Sequence, residues 1–300
     1  MHIPVNLSPA DSYAQHVCCG VARHKAIRIQ NEAFGDAHAF ELASALCKPS
    51  CKVQKIEFYK CPKLGPDGIR VLAEALGTSK TVKKVDFTSV PIMDEGLRAI
   101  TQLLNASSRI AWLTLEDIGE DIKVTTWNSF FEAALRPEGK IQSLDLSRNQ
   151  LSDLHLRTIA NSLSRNRSLE SLVLSQNSIG DLGVKILCEG LLRNTKLMLL
   201  PLGCCDISNE GCRALARCLQ QNCTLERLYL YSNPLQSHCA AKIEVDYLLE
   251  LNLRGRSFLR GGKCTPELFC RVLPKANDSP ELLYGLLTEV PHLWAGMQRQ

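Results

Sequence analysis

Cysteines and histidines, 14 and 7 of them in a chain of 300 residues, are the side chains best suited to metal or nucleophilic chemistry. The tightest groupings are Cys47-x3-Cys51 with Cys61, and Cys204-Cys205 with Cys212. Structural zinc usually takes two close pairs of ligands. Neither grouping supplies them, so no metal site is assigned. The cysteines read as small buried hydrophobes, with Cys204 a candidate for an exposed, redox-sensitive thiol. Gly262-Lys263-Cys264 imitates the end of a phosphate loop. Its earlier glycine position is Ser257, however, and Cys264 cannot hold magnesium as Ser or Thr would. There is no G-x-S-x-G and no H-E-x-x-H. The chain is expected not to be an enzyme and to have no catalytic residue, cofactor or metal. Arg254, Arg256, Arg260 and Lys263 around Phe258 could contact a nucleic acid. The net charge is only +4, and the run reads better as a solvated loop, so nucleic-acid binding is not expected.

The elements that must position any other functional residue are set by an internal repeat. Leu169-x-x-Leu172-x-Leu174-x-x-Asn177-x-Ile179 returns as Leu197-x-x-Leu200-x-Leu202-x-x-Cys205-x-Ile207 and as Leu225-x-x-Leu228-x-Leu230-x-x-Asn233-x-Leu235. Upstream it reads Ile141-x-x-Leu144-x-Leu146-x-x-Asn149-x-Leu151, and weaker copies centre on Leu115, Phe87, Phe58 and Ile29. The third apolar position falls at 29, 58, 87, 115, 146, 174, 202 and 230, in steps of 29, 29, 28, 31, 28, 28 and 28. Leu172-x-Leu174 alternates as a strand does. Gly183, Leu187 and Leu191 then follow at helical spacing, and recur as Gly211, Leu215, Leu219, as Gly96, Ile100, Leu104 and, one residue late, as Gly68, Leu72, Leu76. In the copy centred on Leu115 the trio is Trp127, Phe131, Leu135, so the 31-residue step is a loop insertion before Trp127. His38 and His155 occupy the glycine slot and read as structural. One strand and one amphipathic helix cannot bury their apolar faces alone, but stacked copies can. A helix is about 10 Å wide and strands lie about 4.8 Å apart, so the stack curves with its strands inside. In the turn after each strand, Asn149, Asn177 and Asn233 can satisfy buried backbone groups. Cys61 and Cys205 hold the same slot, and Glu32, Val90 and Ile118 depart from it.

This pattern resembles the leucine-rich repeats. The 28/29 period and long helical half resemble their ribonuclease-inhibitor-like class, which includes ribonuclease inhibitor, the repeat domains of NOD-like receptors and the activator of the Ran GTPase. The resemblance covers about residues 24 to 253. It implies an α/β solenoid, a horseshoe of about eight repeats, with parallel strands on the concave face and helices on the convex face. It implies protein binding in general and no particular partner.

In that register, residues between and just after the strand leucines point into the concave face. The middle row is Arg28, Glu57, Asp86, Thr114, Asp145, Val173, Pro201 and Tyr229. The next holds Gln30, Tyr59, Thr88, Glu116, Ser147, Ser175, Gly203 and Tyr231, and a flanking row holds Lys55, Lys84, Trp112, Ser143, Ser171, Leu199 and Arg227. Glu57, Asp86, Glu116, Asp117 and Asp145 form an acidic stretch, and Leu199, Tyr229 and Tyr231 an apolar patch. Together with Trp112 and Tyr59 these are the candidate partner-binding residues, aromatic anchors in a polar surround. A tail folded back over the patch is the competing expectation.

Residues 1–23 are expected to form an N-terminal capping helix, about Ser8 to Val21, or a partial repeat. Residues 24–253 are the repeats, and 254–300 a basic loop and a C-terminal helical cap. The last repeat helix is expected from about Cys239 to Leu253 with Ile243 and Tyr247 facing inward. Helices should follow at about 266–274 and 280–289, after Thr265-Pro266 and Ser279-Pro280. The stretches YLLELNLRGR and LLYGLLTEVPHLW resemble a tail that follows such repeats in protist proteins.

Apolar residues make up 45% and charged residues 22%, which suits a chain with a core. No apolar run approaches the about 18 residues a membrane helix needs. The opening MHIPVNLSPADSYAQ has no basic and no apolar region of a secretory signal. Reduced cysteines and a cytoplasmic location are therefore expected, with the nucleus left open. Among the sequons, Asn166 and Asn222 fall at one place in the repeat, as does Asn194. The expected function is that of a monomeric, non-enzymatic scaffold binding a protein partner through its concave face. The acids would select a basic partner surface. The alternatives are a regulator of a small GTPase, by analogy with the Ran activator, and a truncated receptor-type repeat domain.

Overall fold

The computed structural model describes residues 24–30, 32–106, 109–236, 239–260 and 279–289. The alternating triplets form strands β1 (Ala26–Ile29), β2 (Lys55–Tyr59), β3 (Lys84–Thr88), β4 (Trp112–Glu116), β5 (Ser143–Asp145), β6 (Ser171–Val173), β7 (Leu199–Pro201) and β8 (Arg227–Tyr229). They pair in parallel, in chain order, in one sheet. Helices α1 (Asp36–Leu46), α2 (Pro66–Thr78), α3 (Met93–Asn105), α4 (Val124–Ala134), α5 (Asp153–Arg165), α6 (Gly180–Leu191), α7 (Asn209–Gln221) and α8 (Ala240–Leu253) follow the strands one by one. Each packs on the next. Strand residues such as Ile56, Leu144 and Leu200 point at the helices and are fully buried. The inward trios are buried as the spacing predicts, including the displaced Trp127, Phe131 and Leu135. This is the expected α/β repeat solenoid, and among the described residues no helix lies on the other face of the sheet.

Side chains tie each copy to its neighbour. Asn149 Nδ2 donates to Leu115 O at 2.6 Å, Asn177 Nδ2 to Leu146 O at 3.0 Å and Asn233 Nδ2 to Leu202 O at 2.7 Å. Asn177 Oδ1 accepts the N–H groups of Asn149 and Leu151. In the same slot Cys205 Sγ donates to Leu174 O at 3.2 Å, and Cys61 Sγ to Ile29 O at 3.7 Å. A second asparagine row closes the helix ends: Asn194 Nδ2 reaches Leu163 O, Asn222 Nδ2 reaches Leu191 O, both at 2.7 Å, and Asn252 Nδ2 reaches Asn222 O at 3.1 Å. These asparagines, with Asn166, are buried, so the sequons at Asn166 and Asn222 are by-products of the repeat.

Helix starts leave unpaired N–H groups, and at α2, α4 and α7 an acid from the preceding repeat takes them. Asp36 Oδ1 accepts from Gly65 N at 2.7 Å, and Asp94 Oδ1 from Lys123 N at 3.2 Å. Asp181 Oδ1 accepts from Ser208 N at 2.8 Å and Gly211 N at 2.9 Å. His38 and His155 accept through Nδ1 from Gly35 N and Ser152 N, which gives both a structural role. Burial holds His155 below its usual pKa.

The C-terminal end departs from expectation in two ways. Ile243 is 66% exposed and Tyr247 37% exposed, so neither faces inward. The buried trio of α8 is Ala241, Val245 and Leu249, two residues late, because the segment after Leu230 is longer than in other copies. The expected solvated loop contains a short helix, α9 (Arg256–Arg260), and Arg256 is only 3% exposed. Its Nε donates to Glu289 Oε1 at 2.8 Å, and its other nitrogens donate to Leu219 O at 2.9 Å and Gln220 O at 3.0 Å. It thereby caps α7, whose last carbonyls need donors. The helix predicted over 280–289 is present as α10 (Pro280–Thr288), capped by Ser279 and packed on α8. Those predicted over 8–21 and 266–274 lie outside the described residues.

Candidate functional site

The free sheet face holds the predicted rows in the predicted register. Arg28, Glu57, Asp86, Thr114, Asp145 and Val173 lie side by side across β1 to β6. Pro201 pairs with Tyr229 at the far end. Tyr229 is 47% and Tyr231 56% exposed. Tyr231 is held by its neighbour: a Cβ on Gly203 would lie 2.2 Å from the ring carbon Cζ. One face of the ring therefore rests on bare backbone and the other is open. Leu199, half-buried, and Arg227, exposed, complete this end.

The acidic stretch lies on the other half of the sheet. Burial pushes the Asp86 carboxyl above its ordinary value, against a hydrogen bond from Thr88 Oγ1 at 2.8 Å, and the charges of Glu57 and Asp145 add to the rise. Glu116 is raised for the same reasons, by burial first and then by Asp145, Asp86 and Asp117. Asp145 accepts from Ser147 and Asp117 from Ser89. Lys55 pairs with Glu57 at 2.7 Å. The field is therefore negative but partly met from within.

Not all candidates come together. Trp112, 40% exposed, shares a row with Leu199 but is separated from it by Ser143 and Ser171. Four strand steps, about 19 Å, divide it from the β8 tyrosines. It belongs with the acids. Tyr59 is covered by this chain's own cations, with Arg28 and Lys60 at 5.2 and 5.3 Å from its ring centre. Sequence reasoning placed Gly203 and Tyr231 in one row without drawing their contact. The signal was there: the single glycine of that row directly precedes, by one repeat, one of its two tyrosines.

For other chemistry, no group of three or more His, Cys, Asp or Glu among the described residues is placed to hold a metal. The described cysteines are free thiols. Burial pushes Cys205 up to about 11 and Cys212 up to about 12, which leaves both poor nucleophiles. No helix among the described residues is long and apolar enough to cross a membrane.

The family profile described as Leucine Rich repeat matches residues 165–188 and 193–216. No curated protein matches the chain. Solved structures similar to it include the actin-binding site 2 of leiomodin-1, at 21% identity over 46% of this chain and 79% of that one, TM-score 0.40. Another is the tropomodulin C-terminal domain of Caenorhabditis elegans, at 13% identity over 77% and 100%, TM-score 0.35. A third is a protein of Bacteroides fragilis, at 12% identity over 76% and 74%, TM-score 0.45.

Proposed function

This chain is a leucine-rich repeat protein, and from that premise we propose that it is a non-enzymatic scaffold that binds a protein partner across its concave sheet. The observation that carries the reading is the Tyr229–Tyr231 platform, two exposed rings at the end of β8 and in the turn just after it, one of them seated on Gly203. Exposed aromatics held in one rotamer gain most from being covered by a partner. The acids Glu57, Asp86, Glu116, Asp117 and Asp145 favour a basic surface on that partner, and Trp112 beside them suits a cation over its ring. Tyr59 plays a lesser part, since its ring already meets Arg28 and Lys60. The period and full helices favour the ribonuclease-inhibitor-like class. Buried Asn166 and Asn222, with both amide ends bonded, fit an unglycosylated, cytoplasmic protein.

The test is affinity purification with mass spectrometry, using wild type, Tyr229→Ala with Tyr231→Ala, and Trp112→Ala alone, each checked by circular dichroism. The tyrosine variant should lose a partner that wild type keeps, with affinity weakened by at least about 2 kcal/mol. Trp112→Ala should weaken it less. Identical partner sets with unchanged affinities would overturn the concave-face reading.

A further inference from the structure

A groove of about 530 Å³ runs along the convex side between α5 and α6. It exists because the two helices touch at their backbones: a Cβ on Gly190 would lie 2.4 Å from Ala160 O. Ala160, Ile186 and Gly190 make an apolar floor, and Arg157, Glu189 and Arg193 stand exposed on the rim. The three rim side chains are held in no ion pair or hydrogen bond among the described residues. Glu189 follows Asn161 by one 28-residue repeat, and Arg193 follows Arg165 likewise. With α5 and α6 in register, the rim reads positive, negative, positive in steps of about 6 Å along the helix axis.

The geometry points to this groove as a second docking site, for an acidic amphipathic helix of a protein partner, independent of the concave-face reading. A helix carrying an acid at i, a lysine at i+4 and an acid at i+7 presents the complementary charges on one face, at about 6 and about 10.5 Å. Its apolar side chains would pack on the floor as helices pack in grooves between helices. A nucleic acid or other continuous polyanion would set negative charge against Glu189 and is disfavoured.

The test uses the full chain and fluorescence anisotropy. One probe is a labelled, alanine-based helical peptide of about 18 residues with Glu, Lys and Glu at i, i+4 and i+7. The other has Lys, Glu and Lys there. Wild type should bind the first at least about tenfold more tightly. The triple variant Arg157→Glu, Glu189→Lys, Arg193→Glu, its fold checked by circular dichroism, should reverse the preference. The inference is overturned by no binding of the first peptide at about 1 mM, by equal binding of both, or by an unreversed preference in the variant. A thymidine oligonucleotide of about 20 bases that binds as tightly as the first peptide would overturn it in favour of a general polyanion site.

Discussion

Tyr231 is open on one face only because position 203 has no side chain. Gly203→Ala would put a methyl group where the ring now lies and turn the ring out. The backbone there has no need of a glycine, so folding stability should hold or rise by about 0.5 kcal/mol. Partner affinity and the near-ultraviolet circular dichroism of the tyrosines should change. Unaltered affinity would mean that the ring's seat is not part of recognition. Asp86 makes a second residue-scale prediction. Its folded pKa lies above its unfolded value of 3.8. The folded state therefore binds more protons in that window, and the group's contribution to stability falls as pH rises through it. Asp86→Asn should raise the thermal midpoint at pH 7 by about 1–2 °C. It should also flatten the loss of stability between pH 4 and neutrality, while weakening a basic partner. A lowered midpoint at pH 7 would show the charge to be stabilising.

Among the elements, the starts of α2, α4 and α7 depend on carboxylates from the repeat before. For Asp181, burial works to raise the pKa, but hydrogen bonds from Ser208 and Gly211 outweigh it and the carboxyl ends below its usual value. Its contribution is present above the unfolded value of 3.8 and is lost as pH falls through the folded one, opposite in sign to Asp86. Asp181→Ala should cost about 1–2 kcal/mol in urea unfolding at pH 7 and almost nothing below about pH 3. A loss that is independent of pH would rule out the capping role. None of these ties was legible in advance. An acid in the first turn of α6 reads as favourable for α6 itself, and only the stacked structure brings it to α7. The strands were legible because two apolar residues flanking one outward position recur eight times, as leucines in five of the copies, and the row order of the concave face follows from that alone. The phase of α8 was not, because loop length after Leu230 sets it and no residue there announces the extra turn. Arg256 was misread because an arginine in a glycine-rich, acid-free run looks solvated, and its acceptors are carbonyls of another repeat.

Across the whole molecule, each copy touches only its neighbours, so stability is a chain of nearest-neighbour contacts and the ends are its weak points. Arg256 links helix α10, through Glu289, to the end of α7. Arg256→Ala would remove the ion pair with Glu289 and leave the carbonyls of Leu219 and Gln220 without their donor. It should lower the unfolding free energy by about 3 kcal/mol, with hydrogen exchange rising first in α7, α8 and α10. Exchange that rises uniformly would show that the solenoid unfolds as one unit. The same repetition has a consequence on the open face. After each strand from β2 to β8 comes a residue in the left-handed region: Lys60, Ser89, Asp117, Arg148, Gln176, Cys204 and Ser232, with φ between 51° and 60°. Glycine would sit there with less strain, yet none of the seven is glycine. Seven side chains of six kinds at one fixed pitch amount to a row of type, in which the backbone supplies the line and the residues supply the letters. A partner laid along that row could be exchanged for another by resetting single letters, with the line left as it is.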